Sequence, residues 1–187
     1  MARVIVIGGG GFGRALVELA RIIDEHTVVG FVDDRWPELT HVKDVPVVGR
    51  IADLPKLRAL ADSVVLAIGE NRVRQAAARR ANEAGFKLAS LIHPRAVVSP
   101  SAMLGHGVTV MAGAIIGTEV HVEDGCIVNA GAVIDHHGRV CAFAHLGIGA
   151  CMGGGAILES LSWLAVGRAL DPGMRLSATG SITPLQS

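Results

Sequence analysis

The chain has 187 residues, 50% of them hydrophobic, and 17 basic residues balance 17 acidic ones. That balance argues against electrostatic capture by nucleic acid or an anionic membrane surface, and no run of about 18 apolar residues is present to span a bilayer. Aromatics are 3% of the residues, with no Tyr, while Gly reaches 24. A core so poor in rings is built from Val, Ile, Leu, Ala and Met, which suits a narrow, regular architecture.

The opening "MARVIVIGGGG" is too short and too glycine-interrupted for the apolar stretch of a secretory signal. "RVIVI" (3–7) predicts a buried strand. "FGRALVELARIID" (12–24) predicts a helix with Phe12, Leu16, Leu19, Ala20 and Ile23 on one face. A second strand is expected at 28–32, a short helix at 54–61 and a third strand at 63–69. "NRVRQAAARRANEAG" (71–85) predicts a helix capped by Asn71 and ended by Gly85. This βαβαβα order predicts a small parallel α/β domain over residues 1–92.

Between the first strand and first helix, Gly8, Gly10 and Gly13 fall at G-x-G-x-x-G spacing. Backbone N–H groups at a helix N-terminus suit a diphosphate. Asp33 and Asp34 end the second strand, where the polar groups of a nucleotide would lie. Asn71 and Arg72 follow the third strand and are expected at the same mouth. Residues 1–92 hold only one half of a doubly wound sheet, so the expected ligand is a nucleotide-sugar diphosphate and not a nicotinamide dinucleotide. A tight structural turn is the alternative reading of the glycines.

His93-Pro94 marks the joint. From residue 96 the chain reads in sixes, with an aliphatic residue or Met at every third position from Val98 to Leu164 and a small residue at every first position. A period of six predicts a β-helix, with small side chains at its corners and one stacked aliphatic residue per face. Its regularity is expected to fade near residue 165, because the first positions then become Arg168 and Met174.

Within the repeats, "VNAGAVIDHHGRVCAFAHLG" (128–147) concentrates Asp135, His136, His137 and His145. His136 lies two places after the core position Ile134 and is expected to face outward. Strand alternation would turn His137 the other way. His145 precedes Leu146 and is also expected at the surface. Imidazole titrates near ~6.5, so it is available as a base at neutral pH. Three cysteines, odd in number and without C-x-x-C, point to neither a disulfide framework nor a zinc ribbon, and a reducing cytoplasm fits. Cys126 reads as a corner residue and Cys141 as a small apolar residue.

The succession "IVIGGGGFGRALVE", "GFVDD", "LAIGENRVRQ", "LIHPRAVVSPSA" and then hexapeptides resembles a family of bacterial sugar acetyltransferases. These are the sialic acid O-acetyltransferases and UDP-4-amino-sugar N-acetyltransferases, which join a Rossmann-like domain to a left-handed β-helix. The resemblance covers roughly residues 3–165; the family's usual closing segment is not matched by "SITPLQS". It implies an α/β Rossmann-like nucleotide-sugar-binding domain at 1–92 and an all-β left-handed parallel β-helix at 93–187. It also implies a cytoplasmic homotrimer in surface-glycan biosynthesis, with acetyl-CoA as co-substrate and no metal. The acceptor would be the amine or hydroxyl of a nucleotide-linked sugar.

Carried onto this chain, the resemblance makes His136 the general base and Asp135 its partner. His145 becomes an acetyl-CoA contact, Asn129 a further catalytic residue, and the Gly154 amide the holder of the thioester oxygen. His137 stands where relatives commonly carry an acid. Two alternatives use the same scaffold. A γ-class carbonic-anhydrase-like zinc enzyme needs a His-x4-His pair that His121, His136, His137 and His145 do not form. A non-catalytic nucleotide-sugar-binding trimer would need none of these histidines.

Overall fold

The computed structural model describes residues 1–185, and the chain divides into two compact units, Met1–Leu91 and Ile92–Ser187. In the first unit, β1 (Ala2–Ile7), α1 (Gly11–Ile23) and β2 (His26–Val32) follow the predicted pattern. Then come β3 (His41–Val42), β4 (Val45–Gly49), a 3-10 helix (Ile51–Leu57), β5 (Ser63–Leu66), α2 (Asn71–Glu83) and β6 (Lys87–Leu88). The sheet order is β3-β4-β2-β1-β5-β6. Central β1 is flanked in parallel by β2 and β5, and its Val4, Ile5, Val6 and Ile7 are fully buried. The order steps one way from β1 to β2 and the other way to β5, so the carboxyl ends of β1 and β5 border a crevice.

Three local features differ from expectation. The antiparallel pair β3–β4 extends the sheet beyond β2; two-residue β3 is too short to show alternation. The expected helix at 54–61 is a 3-10 helix, with Pro55 inside it and only Leu54 buried. The cap of α2 is Glu70 and not Asn71. The Glu70 carboxylate accepts from the backbone N–H of Arg72 (3.0 Å) and of Val73 (2.6 Å). Asn71 is buried and accepts from Arg74 Nη2 at 2.9 Å. Arg74, itself fully buried, also donates to the carbonyls of Ile68 and Gly69. Gly85, at φ +83°, closes the helix as expected.

The second unit is a parallel β-helix of short strands in three sheets. The first face carries 109–110, 127–128, 145–146 and 163–164. The second carries 97–98, 115–116, 133–134, 151–152 and 169–170. The third carries 103–104, 121–122, 139–140, 157–158 and 174–176. Each coil therefore consumes three hexapeptides, as the pairing of Ile116 with Ile134 and of Ile134 with Met152 shows. The third-position residues from Val110 to Leu176 stack into one core, with Val98 and Leu104 partly buried against it.

The regular coil does not fade at 165. Leu170 and Leu176 are 1% and 5% exposed, so burial of the aliphatic position carries the helix onward while Arg168 stays exposed at its corner. The repeat ends where Ile182–Pro184 turns back antiparallel to Met174–Leu176, leaving Ile182 exposed. From Gly107 to Gly173 the sixth position of the repeat takes the left-handed backbone region; it is usually Gly, but Glu119, His137, Phe143 and Leu161 hold it with φ of 57° to 63°.

Candidate active site

The glycine turn is built from two kinds of position. A Cβ on Gly13 would stand 2.1 Å from the Gly8 carbonyl oxygen, and one on Gly8 would stand 2.8 Å from the Ala67 carbonyl. These two glycines let α1 pack against the sheet. A Cβ on Gly10 would meet nothing within 4 Å. Gly10 is also the N-cap of α1, with no side-chain cap on the first-turn amides, so this end of the helix is open to an anionic group.

The two acids after β2 have different tasks. Asp33 Oδ2 accepts from the Gly9 N–H at 2.7 Å, and its two oxygens take Arg35 Nε and Nη2 at 2.8 and 2.9 Å. The Arg35 guanidinium chiefly, with the Gly9 and Arg35 amides, outweighs burial and holds the Asp33 carboxyl at about 2. Asp34 accepts from the Ile51 N–H at 3.1 Å, at the start of the 3-10 helix. Arg72 borders a shallow surface depression with Gln75, Ala76 and Arg79, while the Asn71 side chain is committed to Arg74.

On the β-helix, the corner after strand 133–134 carries Asp135, His136 and His137. Stacked on it one coil later are Gly153, Gly154 and Gly155. The Gly155 N–H donates to the His136 carbonyl at 2.9 Å, and the imidazole of His136 covers Gly154 so closely that a Cβ there would stand 2.7 Å from Nε2. At comparable corners the fourth residue of the repeat satisfies the amide of the fifth: Asn129 Oδ1 accepts from Ala130 N–H at 2.8 Å and Asp135 Oδ1 from His136 N–H at 2.7 Å. One coil on from Asp135 the fourth residue is Gly153, which has no side chain to do this. Among the described residues none accepts from the Gly154 N–H. An exposed imidazole thus stands beside an open backbone donor.

Two expectations are corrected here. His137 does not face away from His136. Their Nδ1 atoms are 2.9 Å apart, with the rings edge-on at 86°. Both residues lie at a corner, outside strand 133–134, and His137 has φ +59°, so strand alternation does not govern them. Asp135 holds the backbone of His136, not its ring: the nearest approach of its carboxylate to Nε2 is 3.9 Å, beyond hydrogen-bond reach. Sequence reasoning missed Glu119, which lies 3.0 Å from His137 Nε2. The signal for it was the coil length, since residues one coil apart stack directly.

His145 and Asn129 form a separate group. His145 opens a strand of the first face, and its Nε2 lies 3.5 Å from Asn129 Nδ2. The His136 corner lies between the second and third faces, so one chain carries these groups on different sides of the prism. Burial, with the Glu123 carboxylate, pushes the Cys141 thiol up, which disfavours a nucleophilic thiolate. Cys126 is a buried corner residue. Among the described residues no group of three or more His, Cys, Asp or Glu side chains could hold a metal ion.

Residues 3–81 match the PglD N-terminal domain family. The GDP-perosamine N-acetyl transferase of Caulobacter crescentus, solved as a histidine-to-alanine mutant with CoA and GDP-perosamine, has the same fold at a TM-score of 0.89. It is 41% identical over 95% of this chain and 84% of that one. The chain belongs to the sugar N-acetyltransferase family. Its fold is the family's α/β Rossmann-like unit followed by a left-handed parallel β-helix. The acetyltransferase domain of PglB from Neisseria gonorrhoeae FA1090, solved with acetyl coenzyme A, is 30% identical over 98% of this chain and 99% of that one, at a TM-score of 0.76. The UDP-N-acetylbacillosamine N-acetyltransferase of Bacillus subtilis (strain 168) is 32% identical over 114 residues, 60% of this chain and 52% of that protein. The match therefore spans about half the length of that curated relative. Among the described residues no helix is long and apolar enough to cross a membrane.

Proposed function

We propose that this chain transfers the acetyl group of acetyl-CoA to the amine of a nucleotide-linked amino sugar, in the cytoplasm, for bacterial surface-glycan synthesis. The observation that carries this reading is the exposed His136 imidazole lying over the open Gly154 amide. His136 Nε2 removes a proton from the sugar amine as the nitrogen attacks the thioester carbonyl. The Gly154 N–H stabilises the developing oxyanion. The C–S bond then breaks, the C–N bond remains, and the proton on Nε2 neutralises the departing coenzyme A thiolate. The thiolate leaves readily, so the reaction needs no metal. An amine is favoured over a hydroxyl because the named relatives are N-acetyltransferases.

The nucleotide diphosphate is assigned to the Gly10 turn, and acetyl-CoA to His145 and Asn129. The outward residues of the second face, Val97, Ile115, Val133, Cys151 and Ala169, form an apolar stripe, with Val97 63% and Ile115 43% exposed. This face is bounded by the Asn129 corner on one edge and the His136 corner on the other. Packing it around a threefold axis brings the His136 edge of one copy beside the Asn129–His145 edge of the next, which supports a homotrimer with shared sites. The experiment is a screen of GDP-, UDP- and dTDP-linked amino sugars with acetyl-CoA. Coenzyme A release coupled to an N-acetylated product is expected with one of them; tight binding of such a sugar without any release would favour the non-catalytic reading.

A further inference from the structure

We propose that Glu119 and His137 are positioning residues that fix the proton on Nδ1 of His136 and leave its Nε2 free to act as base. The inference rests on the acetyl-transfer reading and adds to it two residues from different coils. Glu119 and His137 occupy the same corner position of successive coils, and both have the left-handed backbone, with φ 57° and 59°. Stacked corners of identical conformation project their side chains in the same direction, about one strand spacing (~4.8 Å) apart. The carboxylate of the lower coil therefore reaches the imidazole of the upper one, and Glu119 Oε2 lies 3.0 Å from His137 Nε2. The Glu119 backbone is held by Ser101 Oγ, which accepts from its N–H at 3.0 Å. His137 is held by its own N–H, which donates to the Thr118 carbonyl at 2.9 Å.

The hydrogen-bond inventory then constrains the protons. The two Nδ1 atoms are 2.9 Å apart, so one donates and the other accepts. Glu119 is an acceptor and requires a proton on His137 Nε2. If His137 is neutral, its Nδ1 carries a lone pair and His136 must donate from Nδ1. One arrangement satisfies every contact: His136 Nδ1–H to His137 Nδ1, and His137 Nε2–H to Glu119 Oε2. In it His136 Nε2 carries the free lone pair on the side that covers Gly154. As His136 gains the substrate proton, the positive charge is met through His137 by the carboxylate, much as an acid behind a catalytic histidine sets its tautomer. The four side chains here are more than half exposed, and exposed ion pairs add little to stability, so the arrangement is better explained by orienting the base than by holding the fold.

The test compares Glu119→Leu, which removes the acceptor, with Glu119→Gln, which keeps a neutral one, in the full assembled chain. Glu119→Leu should lower kcat roughly 10- to 100-fold, with KM for both substrates and the oligomeric state unchanged. Glu119→Gln should restore part of the loss. Nitrogen-15 spectra of the imidazoles should show His136 protonated at Nδ1 in the wild type and moved toward the Nε2–H form in Glu119→Leu. Wild-type kcat in Glu119→Leu, or an Nε2–H form of His136 in the wild type, overturns the proposal. If the wild type acetylates no amino-sugar nucleotide, the acetyl-transfer reading fails, while the tautomer measurement still decides the role of Glu119 and His137.

Discussion

Gly154 packs directly against the His136 imidazole, with space for a hydrogen but not for a methyl group: its Cβ would stand 2.6 Å from Cε1 and 2.7 Å from Nε2. Gly154→Ala should therefore push the ring off its seat without disturbing the core, since the obstructing group is an exposed side chain that can move. The expected result is a fall in kcat on the order of 100-fold with an unchanged melting temperature. Circular dichroism and steady-state kinetics on the same sample check it; a wild-type kcat would show that the ring position is irrelevant.

The glycine turn predicts a contrast between neighbours. Gly10 has extended backbone (φ −78°, ψ −167°) and open space around it, so Gly10→Val should fold, at a cost of about 1 kcal/mol for the poorer cap. It should weaken nucleotide-sugar binding on the order of tenfold and leave acetyl-CoA affinity unaltered. Gly13→Ala drives a Cβ into the Gly8 carbonyl and should destabilise the unit by about 1–3 kcal/mol or more. Calorimetric titration of both ligands, with denaturant melts, separates the two outcomes; equal loss of both ligands in Gly10→Val would remove the diphosphate from this turn.

The long-range order of this molecule was legible because one physical demand repeats: an aliphatic side chain every six residues, such as Ile116, Ile134 and Met152, must fill a narrow prism. The residues of the candidate corner were legible too, but their geometry was not. His137 could not be placed by strand alternation because a left-handed corner residue does not alternate. Glu119 is distant in sequence and adjacent only once three hexapeptides are known to close a coil. In the first unit, Gly8 and Gly13 could be read from spacing. The separation of Asp33 from Asp34 depended on where the 3-10 helix began, and the Asn71 side chain was claimed by a buried arginine.

Asp33 gives a pH prediction. Its carboxyl is held at about 2 against an ordinary 3.8. A depressed folded-state value means the contribution is complete above the ordinary range and is lost as pH falls toward 2. Asp33→Asn should be less stable than wild type by about 1–3 kcal/mol near neutrality. That difference should hold down to about pH 4 and shrink below it. Denaturant midpoints across this range check it, and a gap that widened on acidification would contradict the assignment.

The apolar second face predicts a dependence of activity on assembly. Ile115→Glu places a charge on an exposed outward position and should give folded, inactive monomers. Light scattering and activity should fall together; an active monomer would show that one chain holds the whole site.

The most direct test is His136→Ala, measured for kcat and for the affinity of both substrates. The side chain is exposed, so folding and ligand binding should persist while kcat falls by about 10²–10⁴. The loss should diminish from neutral pH toward pH 9, as a sugar amine comparable to an α-amino group (~7.7–8.0) deprotonates unaided. A kcat within a few-fold of wild type, with both substrates bound, would contradict the assignment of His136 as the base.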